Sequence, residues 1–144
     1  MLVKDLMTKE MVFANTTDSV FDVAKMMKTH NIGCVPVVAD GDKVLGMVTD
    51  RDIVLNIAKF NLDTAKTLAS SIMSEKVYSV RPGADIEDAL ALMKKQKIRR
   101  LPVIENERLM GMISIGDIAV TNDFSMEISE AISEISTPAK VENI

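Results

Sequence analysis

The chain has 144 residues, 47% hydrophobic and 26% charged, which suits one globular domain or two small units sharing a core. Its formal net charge of −4 argues against nucleic-acid binding through charge alone, and a single Cys excludes an intramolecular disulfide or a thiolate cluster for a metal. No stretch approaches about 18 consecutive apolar residues, and the start Met1-Leu2-Val3-Lys4-Asp5 lacks a secretory pattern, so a cytoplasmic protein with no membrane segment is expected.

Along the chain, the short apolar run Met11-Val12-Phe13-Ala14 predicts a strand. Thr17 or Asp18 is the expected cap of the next helix, whose stripe is Val20, Val23, Ala24 and Met27. That helix should stop near His30-Asn31, before Gly33. Cys34-Val35-Pro36-Val37-Val38 reads as a buried strand, with its thiol a core group rather than a nucleophile. The Asp40-Gly41 pair predicts a hairpin turn, and Lys43 to Val48 returns as the partner strand. A helix then opens at Thr49-Asp50 and runs through Ile53, Val54, Ile57 and Ala58.

From Asn61 to Ser71 there is no Pro or Gly, which reads as helix and helix cap rather than a flexible tether. The same order then recurs. Val77 to Val80 is a predicted strand and Arg81-Pro82-Gly83-Ala84 a turn. Ile86, Ala89, Leu90 and Met93 form a helix stripe. Leu101 to Ile104 and Leu109 to Ile113 form a hairpin about Glu105-Asn106-Glu107, and Ser114 opens another helix. Phe124, Ile128, Ala131, Ile132 and Ile135 keep helical spacing, for a helix that either closes the body or binds a partner. Thr137-Pro138 should end it, and the last residues are expected to be mobile.

Recurrence of this kind is an internal repeat. At a shift of 66 residues Met7-Thr8 falls on Met73-Ser74, Met27-Lys28 on Met93-Lys94, and Pro36-Val37 on Pro102-Val103. After one deletion in the turn, Gly46-Met47-Val48-Thr49 falls on Gly111-Met112-Ile113-Ser114, and Asp52 on Asp117. The expected organisation is repeat one at 1–62, repeat two at 63–121, and a C-terminal helix and tail at 122–144. Each repeat reads β-α-β-β-α, too small to bury both faces of its sheet alone. The fold class is α/β of the α+β kind, with the repeats packed as a pseudo-two-fold pair.

Three features in both copies carry a resemblance: the lead-in Leu6-Met7-Thr8 or Ile72-Met73-Ser74, the strand with Pro36-Val37 or Pro102-Val103, and the hairpin ending in Gly-x-x-Thr/Ser-x-x-Asp. Together they resemble the cystathionine-β-synthase (CBS) domain, and the tandem resembles the paired Bateman module. The resemblance covers about 120 residues and implies a free-standing regulatory module. Its ligands would be adenosine-containing: AMP, ADP, ATP or S-adenosylmethionine, bound in the cleft between repeats. It also implies a homodimer that signals by conformational change to an unidentified effector protein. A scaffold or dimerisation module that binds no ligand is the alternative.

A strand that ends at Thr49 as a helix begins points backbone N–H groups and a hydroxyl outward, and Asp52 reaches the same spot. A carboxylate there can accept both hydrogen bonds of a ribose diol. Thr49, Asp52, Ser114 and Asp117 are therefore the ribose candidates, although the pattern is equally a helix-capping arrangement. By the resemblance, basic residues just before the strand Pro meet phosphate. Repeat two has Arg99 and Arg100 there, and repeat one has Gly33 and Cys34. The family pattern pairs one copy's acid with the other copy's strand. Asp52 and Thr49 would then join Arg99 and Arg100, leaving Arg51 as the poorer phosphate group for Asp117 and Ser114. Arg99 and Arg100 equally extend a solvated basic run with Lys94, Lys95 and Lys97, which has no aromatic residues between for stacking on RNA. Candidates for adenine walls are Val12, Ala14, Val35, Pro36, Tyr78, Val80 and Pro102, all of which core formation would also explain. No Ser/His/Asp or Cys/His set, paired carboxylates, glycine-rich phosphate loop or metal-ligand spacing occurs, so neither an enzyme nor a required cofactor or metal is expected.

Overall fold

The computed structural model describes residues 1–121 and 123–138 as a mixed α+β fold. They form two compact units that do not coincide with the two sequence repeats. One holds residues 10–77 and 106–109; the other holds residues 1–9, 78–105 and the described residues of 110–138.

In the unit built on repeat one, β1 (Ala14–Asn15) lies parallel to β2 (Cys34–Ala39), which pairs antiparallel with β3 (Lys43–Thr49) from Cys34↔Thr49 to Ala39↔Lys43. The strand expected over Met11–Ala14 is thus two residues long, because Ala14 and Asn15 are the residues that meet β2, opposite Val37 and Val38. The hairpin closes through a 3-10 turn at Asp40–Asp42, with Asp42 at φ 64°, rather than a two-residue turn. Helix α2 (Val20–His30) buries Val20, Val23 and Met27 against Val35, Val37, Val48 and Ile53 of the same core.

The cap of α2 is Ser19, not Thr17 or Asp18. Ser19 Oγ accepts the Asp22 N–H at 3.0 Å, and Asp22 Oδ2 accepts the Ser19 N–H at 2.9 Å. Asp18 is engaged elsewhere, accepting the Asn15 N–H at 2.7 Å. The expected helical linker also takes another form. Helix α3 (Asp50–Phe60) stops at Asn61, in the left-handed conformation at φ 47°, and turns with a 3-10 segment at Ala69–Ser71 follow. These turns supply carbonyls to the open end of α2: Val20 N–H donates to Thr67 O at 2.8 Å and Phe21 N–H to Thr64 O at 2.9 Å. First-turn N–H groups have no partner inside a helix, so a linker that satisfies them gains more than it would as another free helix.

In the unit built on repeat two, the strand expected at Val77–Val80 reduces to a single parallel bridge, Val80↔Val103. Helix α4 (Ile86–Gln96) buries Ile86, Ala89, Leu90 and Met93, and β4 (Arg100–Glu105) pairs with β5 (Arg108–Ser114). A short helix α5 (Ile115–Ala119) follows. Helix α6 (Ser125–Ser136) contributes Phe124, Ile128 and Ala131 to the same core, so it closes the body. The tail expected to be mobile lies, beyond Pro138, outside the described residues.

Each lead-in folds with the other repeat. Val3, in the short helix α1 (Val3–Leu6), is fully buried beside Ile86 and Ile113, and its N–H donates to Ala84 O at 2.9 Å. Thr8 and Met112 exchange N–H···O bonds of 2.8 and 3.0 Å; Ser74 and Met47 do the same in the other unit, at 2.8 and 3.0 Å. The residue beside each bridge is a glycine. A Cβ on Gly111 would lie 2.5 Å from Thr8 O, and one on Gly46 2.8 Å from Ser74 O and 2.6 Å from Met73 Sδ.

Gly111→Ala and Gly46→Ala are therefore expected to destabilise the protein by about 1–3 kcal/mol each, the usual cost of overpacking. Gly83→Ala is the control, because a Cβ there meets nothing within 4 Å. Chemical denaturation of the three variants checks this; equal midpoints would refute it. The α2 cap makes a pH prediction. Backbone and side-chain hydrogen bonds from Ser19 hold Asp22 below the ordinary aspartate range. Its share of stability is present above that range and lost as pH falls through the lowered value. In an NMR titration, Ser19→Ala should move the Asp22 midpoint upward.

Candidate ligand site

Both hairpins deliver their last residue into the same local structure. Thr49 ends β3 and caps α3: its Oγ1 accepts the Asp52 N–H at 3.1 Å, while Asp52 Oδ2 accepts the Thr49 N–H at 3.0 Å. Ser114 and Asp117 repeat this box at 3.1 and 2.8 Å. The capping reading of the pattern is therefore realised in both copies, as it also is at Ser19–Asp22. In each acid the bond falls on Oδ2, and Oδ1 makes no hydrogen bond among the described residues. All four residues are half-buried. A carboxylate with one oxygen fixed by a backbone N–H is held in orientation and still has an oxygen to offer a hydroxyl pair.

What separates these boxes from the one on α2 is the neighbouring strand. Thr49 stands opposite Cys34, and the Asp50 N–H donates to Gly33 O at 2.9 Å. In repeat two the Ile115 N–H donates to Arg99 O at 2.8 Å. Each turn thus adjoins the residues that precede the strand Pro of its own unit. Arg99 and Arg100 are exposed, as is Arg51. The ion pairs found among the described residues, Lys43–Glu107 at 4.0 Å and Lys94–Glu130 at 3.9 Å, involve none of the three.

The adenine candidates divide by burial. Ala14 and Val35 are fully enclosed in the core of one unit, and Val80 belongs to the core of the other. Pro36 and Pro102 are buried in their strands, whereas Val12 and Tyr78 are half-buried. Among the described residues no three His, Cys, Asp or Glu side chains gather to hold a metal ion, and no helix is long and apolar enough to cross a membrane. One residue that sequence reasoning passed over, Asp50, stands beside the candidates. The Asp50 carboxylate lies over Gly33, with Oδ2 2.9 Å from where a Cβ would be. The signal was available in the repeat, which aligns Gly33 with Arg99 and Asp50 with Ile115.

Comparison with known proteins identifies the family. The CBS domain model matches residues 3–59 and 69–120, one match for each repeat. The CBS domain-containing protein YhcV of Bacillus subtilis is 37% identical over 134 residues, spanning 93% of this chain and 94% of its own. Among solved structures, Hypoxic Response Protein I with two coordinated zinc ions superposes at TM-score 0.77 and 32% identity, covering 83% of this chain and 98% of that one. The CBS domain pair of protein MJ0100, in complex with 5′-methylthioadenosine and S-adenosyl-L-methionine, gives 0.76 and 27%, covering 87% and 98%. Two family matches, the duplicated hairpin-to-helix turns and full-length relatives place the chain in the CBS domain family, as a tandem pair.

Proposed function

We propose that the chain is a regulatory module without catalytic activity, acting in the cytoplasm, that binds an adenosine-containing ligand such as AMP, ADP, ATP or S-adenosylmethionine. The observation that carries this reading is the twice-built turn in which a cap holds one Asp oxygen and leaves the other without a hydrogen bond among the described residues. A structural neighbour complexed with two adenosine compounds supports the ligand class. Thr49 and Asp52 read one ribose and Ser114 and Asp117 a second. Arg99 and Arg100 hold phosphate, and Arg51 is the poorer cation. Val12 and Tyr78, the less buried of the proposed wall residues, flank adenine. Following the family pattern, Asp52 shares its ligand with the two arginines.

Binding acts by favouring one conformation over another, to the extent that affinity for the two differs. The partner surface we assign to a second copy of the chain is α3, which leaves Val54 63%, Leu55 49%, Ile57 39% and Phe60 63% exposed. Apolar side chains gathered on one short helix are a usual mark of a self-association face. A scaffold that binds no ligand remains the second reading, favoured by the complete capping role of both acids.

Thermal unfolding of ligand-free protein with AMP, ADP, ATP or S-adenosylmethionine decides between the two. A ligand at 100 times its dissociation constant adds about 2.7 kcal/mol, so one compound should raise the midpoint clearly; no shift with any of them supports the scaffold. Because Asp52 also closes the α3 cap, Asp52→Asn is the cleaner variant, keeping an acceptor for the Thr49 N–H. It should weaken AMP binding by about 1.5–3 kcal/mol. Arg99→Ala should weaken AMP more than adenosine, and equal losses would make the arginine structural. A double-mutant cycle between Asp52 and Arg99 reports whether they share a ligand. Phe60→Asp should convert a dimer to monomer in sedimentation; an unchanged mass would remove α3 from the interface.

A further inference from the structure

The two repeats set the same backbone frame before the strand Pro and furnish it with opposite charge. The Asp50 N–H bonds Gly33 O at 2.9 Å where the Ile115 N–H bonds Arg99 O at 2.8 Å. Repeat two fills this frame with the exposed cations Arg99 and Arg100. Repeat one has Gly33 and Cys34, and the Asp50 carboxylate occupies the space that a side chain at position 33 would enter, 2.9 Å (Oδ2) and 3.2 Å (Cγ) from a built Cβ. Asp50 Oδ1 accepts the Arg51 N–H at 2.8 Å, while Oδ2 has no hydrogen-bond partner among the described residues. Asp50 is in neither of the ion pairs found there, and Arg51 is flanked by Asp50 and Asp52.

From this asymmetry we infer that the repeat-one frame selects against phosphate and takes an uncharged or positively charged 5′ substituent of an adenosine, with Asp50 as the residue that sets the preference. The inference rests on the adenosine reading above and assigns the two frames different ligand classes. A carboxylate beside a phosphate dianion is a like-charge contact, which disfavours binding, while an ammonium or sulfonium at the same place gains from it. Rejection through a placed like charge is an efficient way to separate ligands that share one nucleoside. Glycine at position 33 is part of the device, since any larger residue would displace the carboxylate.

Three adenosines that differ only at the 5′ position test this: AMP, 5′-methylthioadenosine and 5′-amino-5′-deoxyadenosine, carrying negative, no and positive charge. Each is titrated calorimetrically into the full chain and into Asp50→Asn. Asp50→Asn should weaken the amino compound about three- to tenfold relative to the methylthio compound, the range for a solvent-exposed charge contact with a hydrogen bond. AMP should bind the unmodified chain with one strong equivalent per chain and be unaffected by the substitution. Gly33→Arg combined with Asp50→Ala should add a second AMP equivalent; should that variant fail to fold, Asp50→Asn decides alone. An unmoved amino-to-methylthio ratio, or two equal AMP equivalents in the unmodified chain, overturns the inference and leaves the adenosine reading standing. Failure of all three compounds to bind the unmodified chain overturns both.

Discussion

Thr8 and Ser74 run so close to the backbones of β5 and β3 that the residues beside them have no room for a side chain. Each makes a reciprocal pair of backbone hydrogen bonds, with Met112 and Met47, and Gly111 and Gly46 leave space for their carbonyls. A strand edge covered in this way has its backbone groups satisfied and is closed to stray pairing. The contact also settles which residues fold together. Met1–Lys9 completes the core of the second repeat through Val3, and Met73 joins the core of the first. Just downstream of each glycine the strand reaches Thr49 or Ser114, so the register of the covered edge also fixes where the helix cap and its aspartate stand.

Within that frame the two copies keep one backbone arrangement around the hairpin end and its helix cap and differ in the charge they display there. Both copies end α2 or α4 on a left-handed residue, Asn31 at φ 52° and Lys97 at φ 55°, and both cap the next helix with the same reciprocal box. The residues leading to the strand Pro differ, two arginines against a glycine roofed by a carboxylate. A frame set by backbone hydrogen bonds tolerates such change, because the side chains it displays are not what holds it together. Duplication can thus give one chain two frames of related backbone and different charge.

Much of this was legible in the sequence where local chemistry decides. The stripes Val20-Val23-Met27 and Ile86-Leu90-Met93 and both hairpins follow from periodicity. So does α6, whose apolar spacing left two roles open until Phe124, Ile128 and Ala131 proved to be core. Less legible were features set by distant partners. The run Met11–Ala14 has strand composition, yet pairing requires a neighbour, and β2 offers one to Ala14 and Asn15 alone. The Asn61–Ser71 segment lacks helix breakers but is drawn into turns by the open N–H groups of α2. Ser19 displaced Thr17 and Asp18 as cap because Asp22 stands three residues on to complete the box. For the candidate site, the acids stand out as the repeated Gly-x-x-Thr/Ser-x-x-Asp turn and the arginines come from the family resemblance, while Asp50 draws no notice until its carboxylate is seen over Gly33.

The central proposal is that Asp52, oriented by its cap, and the arginines before the second strand Pro serve one adenosine ligand. Amide NMR of the full chain titrated with AMP tests it most directly. The account predicts that the amides of Thr49, Asp52, Arg99 and Arg100 shift together and saturate along a single binding curve, at an affinity only modestly lowered by added salt. Shifts confined to Lys94–Lys97 that vanish with salt, or none at any of these amides, would contradict it.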